Sequence, residues 1–153
     1  MTVNQLINSL FFYYSYMKKI EHIGIAVKDL EKSELLFSKL LNILPHKRET
    51  VDSEGVTTSF FEIGGNKIEL LAATNESSPI AKFLSKNKEG IHHIAFEVED
   101  IKREAERLKS EGFEFINDIP RKGADNKLVC FLHPRSTNGV LIEICQENKH
   151  HSI

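Results

Sequence analysis

The chain has little of what would mark several classes of protein. Among 153 residues only Cys130 and Cys145 are cysteines, at no spacing that makes a zinc knuckle or a disulfide framework. They read as free thiols in a reducing compartment, so a cytoplasmic location is expected. No charge of one sign dominates: 20 Lys and Arg against 22 Asp and Glu leave a net charge of −2. That balance excludes a general attraction to nucleic acid or anionic lipid. No apolar run is long enough to cross a bilayer. Thr2–Tyr16 is apolar and aromatic, but it lacks a basic leading stretch and a small-residue cleavage site. Met17-Lys18-Lys19-Ile20 reads as a natural start, and residues 1–16 are expected to be a disordered or non-native extension. The polar end, 148–153, reads as a loose tail whose His150 and His151 are solvated.

What is present is ordinary for a soluble domain: 41% apolar and 27% charged residues. The informative pattern is alternation. In Gly90-Ile91-His92-His93-Ile94-Ala95-Phe96-Glu97-Val98, Ile94, Phe96 and Val98 share one face while His93, Ala95 and Glu97 share the other. This is the period of a half-buried strand. The same pattern occurs in His22-Ile23-Gly24-Ile25-Ala26-Val27. Each copy runs into an acidic helix cap, Asp29 and Asp100, and the offset is 71 residues in both comparisons (22 to 93, 29 to 100). A constant offset points to an internal duplication.

Each half reads β-α-β-β-β. The first has a strand over Ile20–Val27, a helix over Leu30–Leu41 with an apolar stripe of Leu30, Phe37, Leu40 and Leu41, and strands over Lys47–Val51, Val56–Ile63 and Lys67–Ala72. A short helix capped by Ser78 and begun by Pro79 leads into the linker. The second has a strand over Ile91–Val98, a helix from Ile101 to Ser110, and strands over Phe113–Asn117, Lys127–His133 and Val140–Cys145, with a loop at Pro120–Asn126. The expectation is an α+β fold over residues 17–147: two tandem βαβββ modules (18–85 and 90–147) that form a cupped, barrel-like mixed sheet with helices outside.

The last strand of each half carries a Glu between apolar residues, Ile68-Glu69-Leu70 and Ile142-Glu143-Ile144. Alternation turns both carboxylates away from the helices, toward the side of His22 and His93. A lone strand His or Glu is usually a satisfied or solvated side chain. Four at duplicated positions are better explained by one divalent cation bound by His22, Glu69, His93 and Glu143. His92 is the rival to His93, but alternation places it on the Ile94 face.

These segments, with Ser78-Pro79-Ile80-Ala81-Lys82-Phe83-Leu84 and the run from Phe131 to Glu143, resemble the vicinal oxygen chelate superfamily and, within it, the methylmalonyl-CoA epimerase family. The likeness covers about Lys19 to Gln146. It implies methylmalonyl-CoA as substrate, interconversion of its 2R and 2S forms, and a homodimer. It also implies a divalent metal (cobalt, nickel, zinc, manganese or magnesium) and Glu143 as ligand and base. Glu69 could act as the second acid/base. Some relatives carry a Glu on the strand after the Gly-Val turn, three residues beyond the Gly, where this chain has Thr58. Lys127 and Ser136 lie in the resembling segment and are expected to meet substrate. Two other readings share the fold. A glyoxalase I-type lactoylglutathione lyase would use the same His/Glu set, and a non-catalytic binding protein would have no need of it.

Overall fold

The computed structural model describes residues 2–3 and 17–149, so the expectations for most of the N-terminal extension and for His150 and His151 fall outside the described residues. Eight strands form one curled sheet. β1 (Lys19–Ala26), β2 (Lys47–Val51), β3 (Val56–Ile63) and β4 (Asn66–Ala73) belong to the first module. β5 (Gly90–Glu97), β6 (Phe115–Lys122), β7 (Lys127–Leu132) and β8 (Ile142–Glu147) belong to the second. The described residues also form the helices α1 (Leu30–Leu41), α2 (Pro79–Lys86) and α3 (Ile101–Ser110). The strand order is β2-β3-β4-β1-β5-β8-β7-β6. β1 runs parallel to β4, β5 runs parallel to β8, and β1 and β5 meet antiparallel. The modules therefore pair within one chain about a local twofold axis between β1 and β5.

The repeat is visible in the caps. Asp29 accepts from Lys32 N–H at 3.0 Å and Asp100 from Arg103 N–H at 3.1 Å, each satisfying a helix donor that would otherwise lack a partner. α1 packs Leu30, Phe37 and Leu41 over Val27, Phe61 and Leu70. Leu40, expected in that stripe, is 70% exposed, because it lies about 100° around the helix from Leu41. α3 packs Ile101, Ala105 and Leu108 over Val98, Cys130, Leu132 and Ile144. α2 is seated differently from α1 and α3. Its Ile80 is buried with Ala26, Val56 and Leu71, and Val56 and Leu71 line the cavity inside the curl. α2 thus covers one end of the cup, where those apolar side chains would otherwise meet water.

β6 also departs from the sequence reading. It runs from Phe115 through Pro120 to Lys122, where a loop was expected from Pro120 onward. β6 is an edge strand, and its pairing with β7 shifts register between Asn117 and Arg121. A proline is tolerated there because no ladder donor is required of it. The two outer regions of the sheet are tied together across the curl. Lys47 Nζ donates to Asp125 Oδ1 at 3.1 Å, Asp125 N–H to Glu49 at 2.8 Å, and Arg121 Nη2 to Glu54 Oε2 at 3.1 Å.

Candidate metal centre

The curl encloses a cavity of about 220 Å³ whose polar floor is formed by His22, Glu69, His93 and Glu143. The four side chains arrive from β1, β4, β5 and β8, the central strands of the sheet. All four are buried. His22 Nε2 lies 3.2 Å from Glu69 Oε2 and 3.8 Å from Glu143 Oε2. His93 Nε2 lies 3.5 Å from Glu69 Oε2 and 3.3 Å from Glu143 Oε2. The two Nε2 atoms are 2.9 Å apart. Donors of His22, Glu69 and His93 lie within 4.8 Å of one another, and Glu143 joins them through its approach to both rings. Ligands at right angles around an ion with bonds of about 2.1 Å stand about 3.0 Å apart, so these spacings suit a shared ion.

Charge balance gives the same answer. Burial opposes protonation of His22, but Glu69, Glu21 and Glu143 outweigh it and hold its pKa well above the usual value. His93 is raised by Glu143 and Glu69, again against burial. Burial pushes the Glu69 carboxyl up, and the two imidazoles overcome that and hold it at about 2. Two buried carboxylates thus call for positive charge. Two imidazolium N–H groups cannot both point along the 2.9 Å line between the Nε2 atoms. A dication held by these four residues would neutralise both carboxylates and accept both nitrogen lone pairs. The residues present fit such a group.

The rings are oriented by what stands behind them. β1 carries one extra residue, Glu21, between the pairs Ile20–Phe96 and His22–Ala95. β5 carries one extra residue, His92, between the pairs Gly24–His93 and Ile25–Ile91. These bulges break the alternation, so that consecutive residues both reach the cup. Glu21 and His92 are 71 residues apart, the offset of the repeat. The Glu21 carboxylate accepts from His22 Nδ1 and, through Oε1, from Lys67 Nζ at 2.7 Å. His92 Nδ1 lies 3.0 Å from His93 Nδ1. Burial and the neighbouring His93 hold the His92 pKa down at about 4, so the ring is neutral and can accept from His93 Nδ1–H. Both inner histidines therefore present the lone pair of Nε2 to the centre.

Space for the rings comes from small residues opposite them: Ala95 faces His22, and Gly24 faces His93. A Cβ on Gly24 would sit 2.9 Å from His93 Nε2 and nearer still to Cε1 and Nδ1. Gly24→Ala is therefore expected to push His93 off the centre and weaken divalent-metal affinity by about tenfold or more. Unchanged affinity in a metal titration, with the fold intact by circular dichroism, would show that His93 does not hold the ion.

Residues 21–131 match the Glyoxalase/Bleomycin resistance protein/Dioxygenase superfamily. The chain belongs to that superfamily. An ethylmalonyl-CoA/methylmalonyl-CoA epimerase of Cereibacter sphaeroides is 42% identical, covering 84% of this chain and 97% of the relative. The human mitochondrial methylmalonyl-CoA epimerase is 37% identical, covering 84% and 73% respectively. A Streptomyces coelicolor methylmalonyl-CoA epimerase, solved in complex with 2-nitronate-propionyl-CoA, superposes with a TM-score of 0.84 at 31% identity, covering 90% of this chain and all of that one.

Within this superfamily fold the remaining expected site residues separate. Lys127 lines the cavity, buried, with Nζ 2.6 Å from Glu147 and 3.9 Å from Glu21. Ser136 is not among the cavity-lining residues. Its Oγ accepts from Glu114 N–H at 3.1 Å and donates to His133 O at 3.1 Å, which commits it to backbone groups. Thr58 lines the cavity and is fully buried, and its hydroxyl has no hydrogen-bond partner. Cys130 and Cys145 are free and buried. Cys145 packs with Ala95 and with Val129, which lines the cavity. Glu21 and His92 escaped the sequence reading because strict alternation put them on the helix-facing side. The available signal was a polar residue immediately before each repeated His, on a face otherwise occupied by Ile.

Proposed function

We propose that this protein interconverts the 2R and 2S forms of methylmalonyl-CoA, with His22, Glu69, His93 and Glu143 holding a divalent cation. The observation that carries the reading is the convergence of two imidazoles and two carboxylates at the floor of one cavity. The likeness to named epimerases supports the substrate. The proton to be removed lies between a thioester and a carboxylate, and its departure puts negative charge on the thioester oxygen. A cation bound at the floor supplies Lewis-acid stabilisation of that charge.

The chain's own residues do the rest. Glu143 Oε2 stands beside the His93 ring and is the proposed base that takes the proton from C2. Val51, Val56, Leu71, Ile80 and Phe131 line the walls and exclude water from the acyl group. Lys127 presents an ammonium to the cavity near Glu21, where a substrate carboxylate can meet it. Thr58 offers a buried hydroxyl with a free hydrogen bond. By the same family likeness the reading includes a homodimer, and the two free thiols add a cytoplasmic location. The test is turnover of each pure epimer followed by chiral analysis, beside the hemithioacetal of methylglyoxal and glutathione. Interconversion of the CoA thioesters is expected, and turnover of the hemithioacetal alone would replace this reading with that of a lyase.

A further inference from the structure

Epimerisation delivers a proton to the face of C2 opposite the one that lost it, so a single fixed carboxylate does not complete the reaction. The cavity is lined by five carboxylates: Glu21, Glu54, Glu69, Asp125 and Glu143. Three of the other four are engaged with the histidines of the floor or with lysines. Glu21 is held by His22 and Lys67. Asp125 accepts from Lys67 at 2.7 Å and from Lys47 at 3.1 Å. Glu69 lies against both imidazoles at the floor. Thr58 reaches the cavity from β3, but a hydroxyl is not an acid or base near neutral pH. Glu54 belongs to none of these groups.

Glu54 ends the short 3-10 turn Asp52–Glu54, which the left-handed Gly55 (φ 62°) joins to β3. It belongs to the first module, whereas Glu143 comes from the second. Both line the same cavity. Arg121 of β6 grips the Glu54 carboxylate with two nitrogens, Nε to Oε1 at 3.0 Å and Nη2 to Oε2 at 3.1 Å, which fixes its position at the cavity wall. From this arrangement we infer that Glu54 is the second proton-carrying group of the epimerisation, serving the face of C2 opposite Glu143. The inference rests on the epimerase reading above.

Burial raises the Glu54 pKa, Arg121 counters it, and the charge of Glu143 raises it further. A carboxyl shifted upward retains a proton closer to neutrality than a surface Glu does, as a proton donor requires. In one direction Glu143 accepts the C2 proton, and the electron pair of the broken C–H bond delocalises onto the thioester. Glu54 then gives its carboxyl proton to C2 on the other face and becomes a carboxylate. The opposite epimer runs the same transfers in reverse. Proton exchange with solvent resets both groups.

The test is Glu54→Gln, metal-loaded, in heavy water, started from each epimer separately. Interconversion is expected to fall at least about 100-fold, while one epimer continues to exchange its C2 proton without inversion through Glu143. Glu54→Asp, which keeps a carboxylate, is expected to recover at least about tenfold of the lost interconversion. Wild-type interconversion by Glu54→Gln overturns the inference. So does loss of exchange from both epimers in a variant with wild-type metal content and melting temperature, because Glu54 would then serve binding. If the unaltered protein neither exchanges nor interconverts, it is the epimerase reading that fails.

Discussion

Replacing Glu143 by Gln is expected to lower interconversion of methylmalonyl-CoA by about 10² to 10⁴-fold, the range lost when a positioned base is removed. The change is nearly isosteric. Glu143 is buried on β8, paired with Ala95 of β5 and Phe131 of β7, so an amide of the same shape leaves the strand and its packing in place. It cannot accept a proton from carbon, and it removes one negative charge from the set around His22 and His93. Activity is therefore measured at saturating metal, so that weaker binding does not pass for lost chemistry. A melting temperature close to wild type with turnover down by the stated factor is the expected pair. Turnover within threefold of wild type would remove Glu143 from the proposed role of base.

Glu21→Gln is expected to act one layer out, through His22. The amide keeps a hydrogen-bond acceptor for Nδ1 but loses the charge that orients and enriches the ring, which typically weakens metal affinity by about 10 to 100-fold. It also changes how stability depends on pH. Burial pushes the Glu21 carboxyl up, yet hydrogen bonds from His22 and Lys67 overcome it and hold the pKa at about 2, against an ordinary 4.5. A depressed carboxyl contributes stability that is fully present above its unfolded pKa and is lost as pH falls through the folded one. From 4.5 to about 2 that contribution is about 3 kcal/mol. Urea unfolding of the metal-free protein between pH 5 and pH 2 is expected to show this loss in the wild type and a shallower slope in the variant. Parallel slopes would mean that Glu21 is not held by its neighbours. His22 and His93 work in the other direction. Their raised pKa values give stability that is complete below the ordinary 6.5 and fades as pH rises through the folded values. Metal needs both rings neutral, so its added stabilisation grows over the same rise in pH.

Much of this was legible in the sequence because the duplication repeated both the apolar alternation and the polar exceptions to it. His22 and His93 at one offset, with Glu69 and Glu143 each set between apolar neighbours on a last strand, led to four positions that the folded chain brings together. What alternation could not supply were its own interruptions. The bulges at Glu21 and His92 turn two residues into the cup that a regular pleat would send toward the helices. Pro120 read as a loop residue, although an edge strand with a register shift accommodates it. Ser136 lay in a segment of family likeness, but its hydroxyl is spent on the backbone of His133 and Glu114. Glu54 lay in what read as a plain turn, and only the curl of the sheet brings Arg121 across to it. The short helix α2 was foreseen, but its seat across the end of the cup depends on which face of β1 and β4 was left uncovered.

The most direct measurement of the central claim follows the C2 proton of methylmalonyl-CoA by NMR in heavy water. It uses purified protein with metal, after chelation, and after a divalent ion is restored. The account predicts rapid exchange in the first sample, loss in the second and recovery in the third. Exchange at the same rate in chelated, metal-free protein would contradict it.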